Sequence, residues 1–337
     1  MNIIEVKNLA RERIKGYCRV CPECNGVACR GEVPGMGGTL TGSSFIGNVE
    51  DLKKVKLRMK TIHSAKEPDL SFDFFGKKLA MPIITAPVTG SAFNMGGYLS
   101  EDQYNKAVVE GSLEAGTLAM TGDTGEAELF DRGLDAIKAA SGNGIPIIKP
   151  RETDRVIELI KKAEAVNPPA VGMDIDGAGL ITMALKGAPV SPKNIQELYK
   201  IVSSTKLPFI LKGVMTVEDT IAAIEAGVSA IVVSNHGGRV LDHAESSCNA
   251  LRKIAQVAKG RITILVDGGI RTGVDVFKML ALGADGVLIG RPVIIGAFGG
   301  EKEGVKLVLE KMKNELYQTM ILTGAKELGA IDDTMIV

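Results

Sequence analysis

A chain of 337 residues with 40 basic and 40 acidic side chains carries no net charge, so it lacks the cationic footprint that nucleic acids and anionic membrane surfaces attract. Its 45% hydrophobic content can build a large core, yet no apolar run reaches the roughly 18 residues of a transmembrane helix. Met1–Lys7 shows no basic stretch leading into an apolar one, and the expectation is a cytoplasmic protein that binds neither nucleic acid nor membrane.

In chain order, the first distinctive feature is a cysteine segment. Cys18, Cys21, Cys24 and Cys29 are spaced C-x2-C-x2-C-x4-C. Clustered cysteines in a cytosolic chain point to metal rather than disulfides. The tight triplet resembles iron–sulfur ligation, with the last spacer one residue longer than in bacterial ferredoxins. Zinc normally separates two C-x2-C pairs by a longer loop; zinc and reduced thiols stay open as alternatives. Cys248 reads as a small buried apolar residue.

From residue 81 onward, short apolar runs alternate with amphipathic stretches. The runs are Met81–Pro87, Gly116–Thr121, Ile145–Lys149, Ala170–Asp176, Pro208–Val214, Ala230–Asn235, Thr263–Asp267 and Gly286–Gly290. A continuous apolar run is what a parallel strand buried on both faces shows. Arg155–Ala165, Val217–Ala226, Asn249–Ala258 and Thr272–Leu282 read as intervening helices. Eight such units predict an α/β fold, a (β/α)8 TIM barrel over 48–337, preceded by a helical, Cys-rich extension over 1–47. An open doubly wound sheet needs an early Gly-rich turn after a strand, and Gly35, Gly37 and Gly38 follow none.

A barrel places its active site at the C-terminal strand ends. There the sequence supplies Thr89, Asp123, Lys149, Asp174, Asp176, Lys212, Ser234, His236, Arg239, Asp267, Arg271 and Arg291. After the last two runs stand Asp267-Gly268-Gly269-Ile270-Arg271 and Gly290-Arg291-Pro292. Glycine backbone N–H groups and forked arginines at that place suit a phosphate. Among three histidines, His236 alone ends a strand and shares its loop with an arginine, Arg239; Asp176 ends another strand. A histidine base oriented by a carboxylate, beside an arginine for a substrate carboxylate, describes proton abstraction from a small anion.

Ser234-Asn235-His236-Gly237-Gly238-Arg239-Val240-Leu241-Asp242 resembles the motif of the FMN-dependent α-hydroxy-acid oxidase and dehydrogenase family, which includes glycolate oxidase, lactate oxidase and flavocytochrome b2. The two glycine–arginine pieces, Leu211-Lys212-Gly213-Val214, and Met81-Pro82 with Ala86-Pro87 extend the resemblance over roughly 48–325. The resemblance implies FMN as cofactor. Ala86, Pro87 and Val88 would lie along its ring, with Lys212 near the flavin N1–C2=O edge. Ser234, Asp267, Gly268, Gly269, Arg271, Gly290 and Arg291 complete the implied cofactor site. It further implies that His236, aided by Asp176, takes a proton, that Arg239 binds the carboxylate, and that a 2-hydroxy acid becomes a 2-oxo acid. A homo-oligomer, tetramer or octamer, is implied by analogy.

The chain departs from the family pattern in three places. The third apolar run ends in Lys149 where the family has tyrosine, the second ends Thr121-Gly122-Asp123 where serines are usual, and the segment 177–192 is short. The family carries no motif like the four cysteines, which are expected to fold near the barrel mouth and pass electrons to an acceptor that the sequence does not identify. Two other readings stay open. One is an FMN barrel of another reaction class, a reductase or an isopentenyl-diphosphate-isomerase-like enzyme. The other is a flavin or metal redox sensor.

Overall fold

The computed structural model describes residues 1–337, apart from the side chains of Ala127 and Ile181. A hairpin precedes the barrel, with β1 (Phe72–Phe74) antiparallel to β2 (Lys77–Leu79). Its two turn residues, Phe75 and Gly76, both have positive φ, the backbone of a turn whose twist matches the strands it joins. Phe74 and Leu79 pack with the side chains of the barrel interior and plug one end of it.

Eight parallel strands follow: β3 (Ile83–Thr85), β4 (Met120–Thr121), β5 (Ile145–Ile148), β6 (Val171–Asp174), β7 (Phe209–Val214), β8 (Ala230–Val233), β9 (Thr263–Val266) and β10 (Gly286–Ile289). Each pairs with its sequence neighbour from β4 through β10, and β10 pairs with β3. The Thr85 amide donates to the Leu118 carbonyl at 3.0 Å and Thr85 bridges Ala119, which joins β3 to the β4 side. The sheet is thus a closed (β/α)8 TIM barrel.

Side chains alternate along the strands as a barrel requires. Ile84, Met120, Ile147, Ile210, Val232, Leu265 and Leu288 fill the interior. Ile83, Ile148, Val171, Leu211, Val233, Val266 and Val287 face the helices. The strand β4 is much shorter than the run Gly116–Thr121 suggested. The Gly116 and Thr117 amides donate to the Leu113 and Ser112 carbonyls at the end of the helix Glu101–Glu114. The chain is still leaving that helix when it reaches the barrel wall.

The N-terminal 47 residues are tied to the barrel rather than set apart from it. The helix Ile3–Arg13 buries Val6 and Ala10 against the C-terminal Arg291–Thr323 segment, where Gly299 leaves room for Val6. That long segment is two helices kinked at Gly300 and Glu301. A second helix, Ser43–Lys54, spans the boundary expected at residue 47. Its own N-cap, Gly42, offers no side chain. Asp242, from the loop after β8, accepts the Thr41 amide at 2.8 Å and the Ser43 amide at 2.9 Å instead. Among the described residues, no helix is long and apolar enough to cross a membrane.

Candidate active site

The loop after β8 carries the catalytic candidates and has an unusual backbone. His236, Gly237 and Gly238 all have positive φ, a region that costs a side chain but not a glycine. The Ser234 hydroxyl accepts the His236 amide at 3.0 Å, and the Asn235 carbonyl accepts the Gly238 amide at 3.0 Å. Gly238 is in close packing contact with Phe45 of the helix Ser43–Lys54, and a Cβ there would lie 2.3 Å from the Phe45 amide nitrogen. Asn235 and Asn48 exchange amide hydrogen bonds at 2.8 and 3.0 Å in a buried setting. The loop is therefore clamped from above by the N-terminal segment, at a point set by a glycine and a reciprocal amide pair.

Beneath it lies a network of charges with little access to water. His236 Nδ1 is 2.9 Å from Asp176 Oδ1 and 3.6 Å from Asp174 Oδ2. Asp174 receives Lys149 Nζ at 2.5 Å on one oxygen and Lys212 Nζ at 2.8 Å on the other. Burial, reinforced by the lysines, holds the His236 pKa well below its ordinary value and outweighs the pull of Asp174. Burial also pushes Asp176 well above the usual carboxylate range, with Asp174 adding to the effect. For Asp174, burial acts upward, but His236 in its protonated form and the Lys149 and Lys212 charges act the other way and overcome it, so this carboxyl is held well below that range. The arrangement keeps one ionised carboxylate between two lysines, and beside it a neutral imidazole against a proton-avid carboxyl.

Three arginines line the cavity above. Arg239 donates to the Gly35 carbonyl and, at 3.1 Å, to Asn94 Oδ1. Arg291 donates to the Met36, Gly37 and Gly237 carbonyls at 2.8, 3.1 and 3.2 Å, and stacks on the Phe45 ring. Arg271 donates from Nε to the Cys24 carbonyl at 3.0 Å. Burial, and then the like charge of a neighbouring arginine, lowers the pKa of Arg239; burial likewise lowers that of Arg291. Both effects are relieved by a bound anion. The cavity measures about 1110 Å³ with its open mouth included.

The pattern "FMN-dependent dehydrogenase" matches residues 36–185 and 181–337. The chain belongs to this family. It is 31% identical over 318 residues to the peroxisomal (S)-2-hydroxyacid oxidase GLO3 of Arabidopsis thaliana, covering 84% of this chain and 85% of that protein. It is 30% identical to the 2-hydroxyacid oxidase 2 of Rattus norvegicus over 328 residues, 88% of this chain and 90% of the relative. A solved structure of mandelate oxidase superposes with a TM-score of 0.78 at 26% identity, covering 100% of this chain and 98% of that one. The family makes the chain an FMN-dependent oxidoreductase acting on CH–OH donors.

The residues present fit that cofactor. Ala86, Pro87, Val88, Lys212, Asp267, Gly268, Gly269, Arg271, Gly290 and Arg291 all line the cavity, as do His236 and Arg239. Arg271 Nη2 and Asp267 Oδ1 are buried without a protein partner, which marks polar groups awaiting one. A Cβ on Gly290 would meet only the Ala86 methyl, at 3.9 Å, so a ligand can approach the backbone there. Ser234 is the exception among the expected cofactor residues. Fully buried, it holds the His236 amide and does not line the cavity. Asp176, expected beside His236, likewise lies outside the cavity lining.

Lys149 and Asp174 stand out in the sequence only as strand-end polar residues, without a role. Their signal was present, since a charge ending an apolar strand must be paired. Asn94 and Phe45 carried no signal, because each acts through a contact far along the chain. Cys18, Cys21, Cys24 and Cys29 are free thiols lining a second, smaller cavity with Met36 and Arg291.

Proposed function

We propose that this enzyme oxidises a small 2-hydroxy acid to the 2-oxo acid. The observation that carries the reading is the His236–Asp176 pair at 2.9 Å, with His236 beside Arg239 in one cavity. With Nδ1 facing Asp176, the imidazole presents Nε2 to substrate as a neutral base. It takes the proton there, and Asp176 stabilises the imidazolium formed. Arg239, preset by Gly35 and Asn94, orients the substrate carboxylate. Lys212 holds positive charge at the floor of the cavity. Bound FMN supplies the two-electron acceptor. Arg271, Arg291 and the Gly268-Gly269 backbone would hold its phosphate.

Names of relatives support the substrate class: the similar proteins are called hydroxyacid, glycolate and mandelate oxidases. A metal centre at the four cysteines would give electrons an exit other than dioxygen. A cytoplasmic location and a homo-oligomer complete the proposal, on composition and on likeness respectively. The test is a panel of 2-hydroxy acids added to the yellow enzyme without oxygen. At least one should bleach the flavin absorbance, and His236→Ala should stop the bleaching with FMN still bound. Bleaching by none of them would reject the reading.

A further inference from the structure

Apart from Cys248, which lies alone and buried in the helix Ser247–Ala258, every cysteine of the chain lines one small cavity. All four are half-buried and none is in a disulfide. The Cys18 sulfur accepts the Val20 amide at 3.4 Å. Val20 takes a left-handed φ of 46°, which turns the chain so that Cys18 and Cys21 return to the same cavity. An amide aimed at a cysteine sulfur is the kind of hydrogen bond that surrounds the sulfurs of iron–sulfur clusters.

We propose that Cys18, Cys21, Cys24 and Cys29 ligate a polynuclear iron–sulfur cluster packed against the arginines of the flavin-phosphate site. The sulfurs discriminate between metals by their spread. A single zinc at about 2.3 Å draws tetrahedral sulfurs to about 3.8 Å from one another. Among the described residues, the group of three ligand atoms within 4.8 Å of one another is Asp174, Asp176 and His236, and no three cysteine sulfurs meet that closely. The four thiols ring a cavity rather than a point. That suits a cluster whose own iron and sulfide occupy the centre.

The surroundings suit its charge. Arg291 lines the cysteine cavity as well as the main one, and Arg271 is held by the Cys24 carbonyl at 3.0 Å. Ligation orders the loop that presents this carbonyl and those of Met36 and Gly37, on which both arginines rest. Loading the cluster should therefore strengthen FMN binding, and the reverse. This second half rests on the FMN reading; the first does not.

The experiment begins with protein purified without oxygen and assayed for iron, acid-labile sulfide and zinc. Iron and sulfide in equal amounts, about two to four of each per chain, are expected, falling below one in Cys21→Ala and Cys24→Ala and unchanged in Cys248→Ser. Zinc without sulfide, free titratable thiols without metal, or iron indifferent to the cysteine changes would overturn the cluster. Should the variants fail to fold, the unaltered chain, stripped by chelator and supplied with ferrous iron and sulfide, must regain the same stoichiometry. Flavin fluorescence then measures FMN binding with and without the cluster. A Kd at least about tenfold weaker without it is expected, about 1.4 kcal/mol of coupling. An unchanged Kd would overturn the coupling alone, and absence of FMN binding in either state would reject the flavin reading and leave the cluster standing.

Discussion

His236 Nδ1 lies 2.9 Å from Asp176 Oδ1, and the two side chains are only 15% and 10% exposed. Burial, with Lys212, Lys149 and Arg239 nearby, depresses the pKa of this histidine. The base form therefore persists below the ordinary histidine value of about 6.5. Activity should be flat from pH 8 to that value and decline only as pH falls through the lowered pKa. The pH profile of kcat/KM checks this, and an acid limb at pH 7 or above would contradict it. The same shift affects stability. The unfolded chain takes up a proton near pH 6.5 that folded His236 resists, so this group's contribution diminishes as pH falls below that point.

Removing the base and removing its orienting group should differ in degree. His236→Gln leaves a side chain of similar reach without a titrating nitrogen, and general-base catalysis is worth about 10²–10⁴-fold. Flavin reduction should slow by at least that factor with KM little changed. Asp176→Asn keeps a hydrogen-bonding partner for Nδ1 but loses the ionisable carboxyl that stabilises the imidazolium as it forms, and should also fall mainly in kcat. Stopped-flow reduction at saturating substrate separates the two effects from binding.

Arg239→Lys tests the carboxylate anchor. Lysine keeps the charge but cannot donate as a planar fork. Charge-assisted hydrogen bonds contribute about 1.5–3 kcal/mol, so KM for a 2-hydroxy acid should rise roughly 10- to 100-fold. The contacts to Gly35 and Asn94 should weaken as well. Binding of 2-oxo acid product, followed by the flavin spectrum, gives an independent readout. Unchanged product affinity would remove Arg239 from the anchor role.

Much of this site is legible in the chain because barrel strands are continuous apolar runs and their C-terminal ends carry whatever polar group follows. His236, Asp176, Lys212, Arg271 and Arg291 are all found that way. What the sequence does not display is tertiary pairing. Asp242 reads as the last residue of a family motif, yet it receives the Thr41 and Ser43 amides about 200 positions away. Asn48 has no local pattern that announces its exchange with Asn235. The strand β4 reads too long because apolar side chains continue where the backbone is still bonded to the preceding helix. Nor does the sequence display that the Ser234 hydroxyl, which the family resemblance implies at the cofactor site, accepts the His236 amide.

Asp242→Ala should therefore act at a distance. The carboxylate replaces the missing cap of the helix Ser43–Lys54, and loss of a capping group costs about 0.5–2 kcal/mol. Thermal unfolding should shift down accordingly. Loosening this helix also frees Phe45, on which Arg291 stacks at 3.7 Å, so FMN should bind more weakly while the bound enzyme keeps its kcat. A loss of kcat at saturating FMN would mean that Asp242 acts on the catalytic loop directly.

The interior pair Lys149–Asp174 provides the most demanding test. Both side chains are under 10% exposed, and Asp174 also neutralises Lys212. Deleting one member of a buried ion pair leaves an uncompensated charge and costs about 3–5 kcal/mol. Asp174→Asn strands two lysines, with only Asp267 at 3.9 Å and Asp176 near Lys212, and should destabilise more than Lys149→Met, which leaves Asp174 its bond to Lys212. The double change should be milder than the sum of the singles, because Lys149 is no longer stranded. It should not return to the parent stability, because Lys212 still is. Denaturant unfolding of the three variants decides this. Strict additivity would mean that Lys149 and Asp174 do not depend on each other in the folded protein.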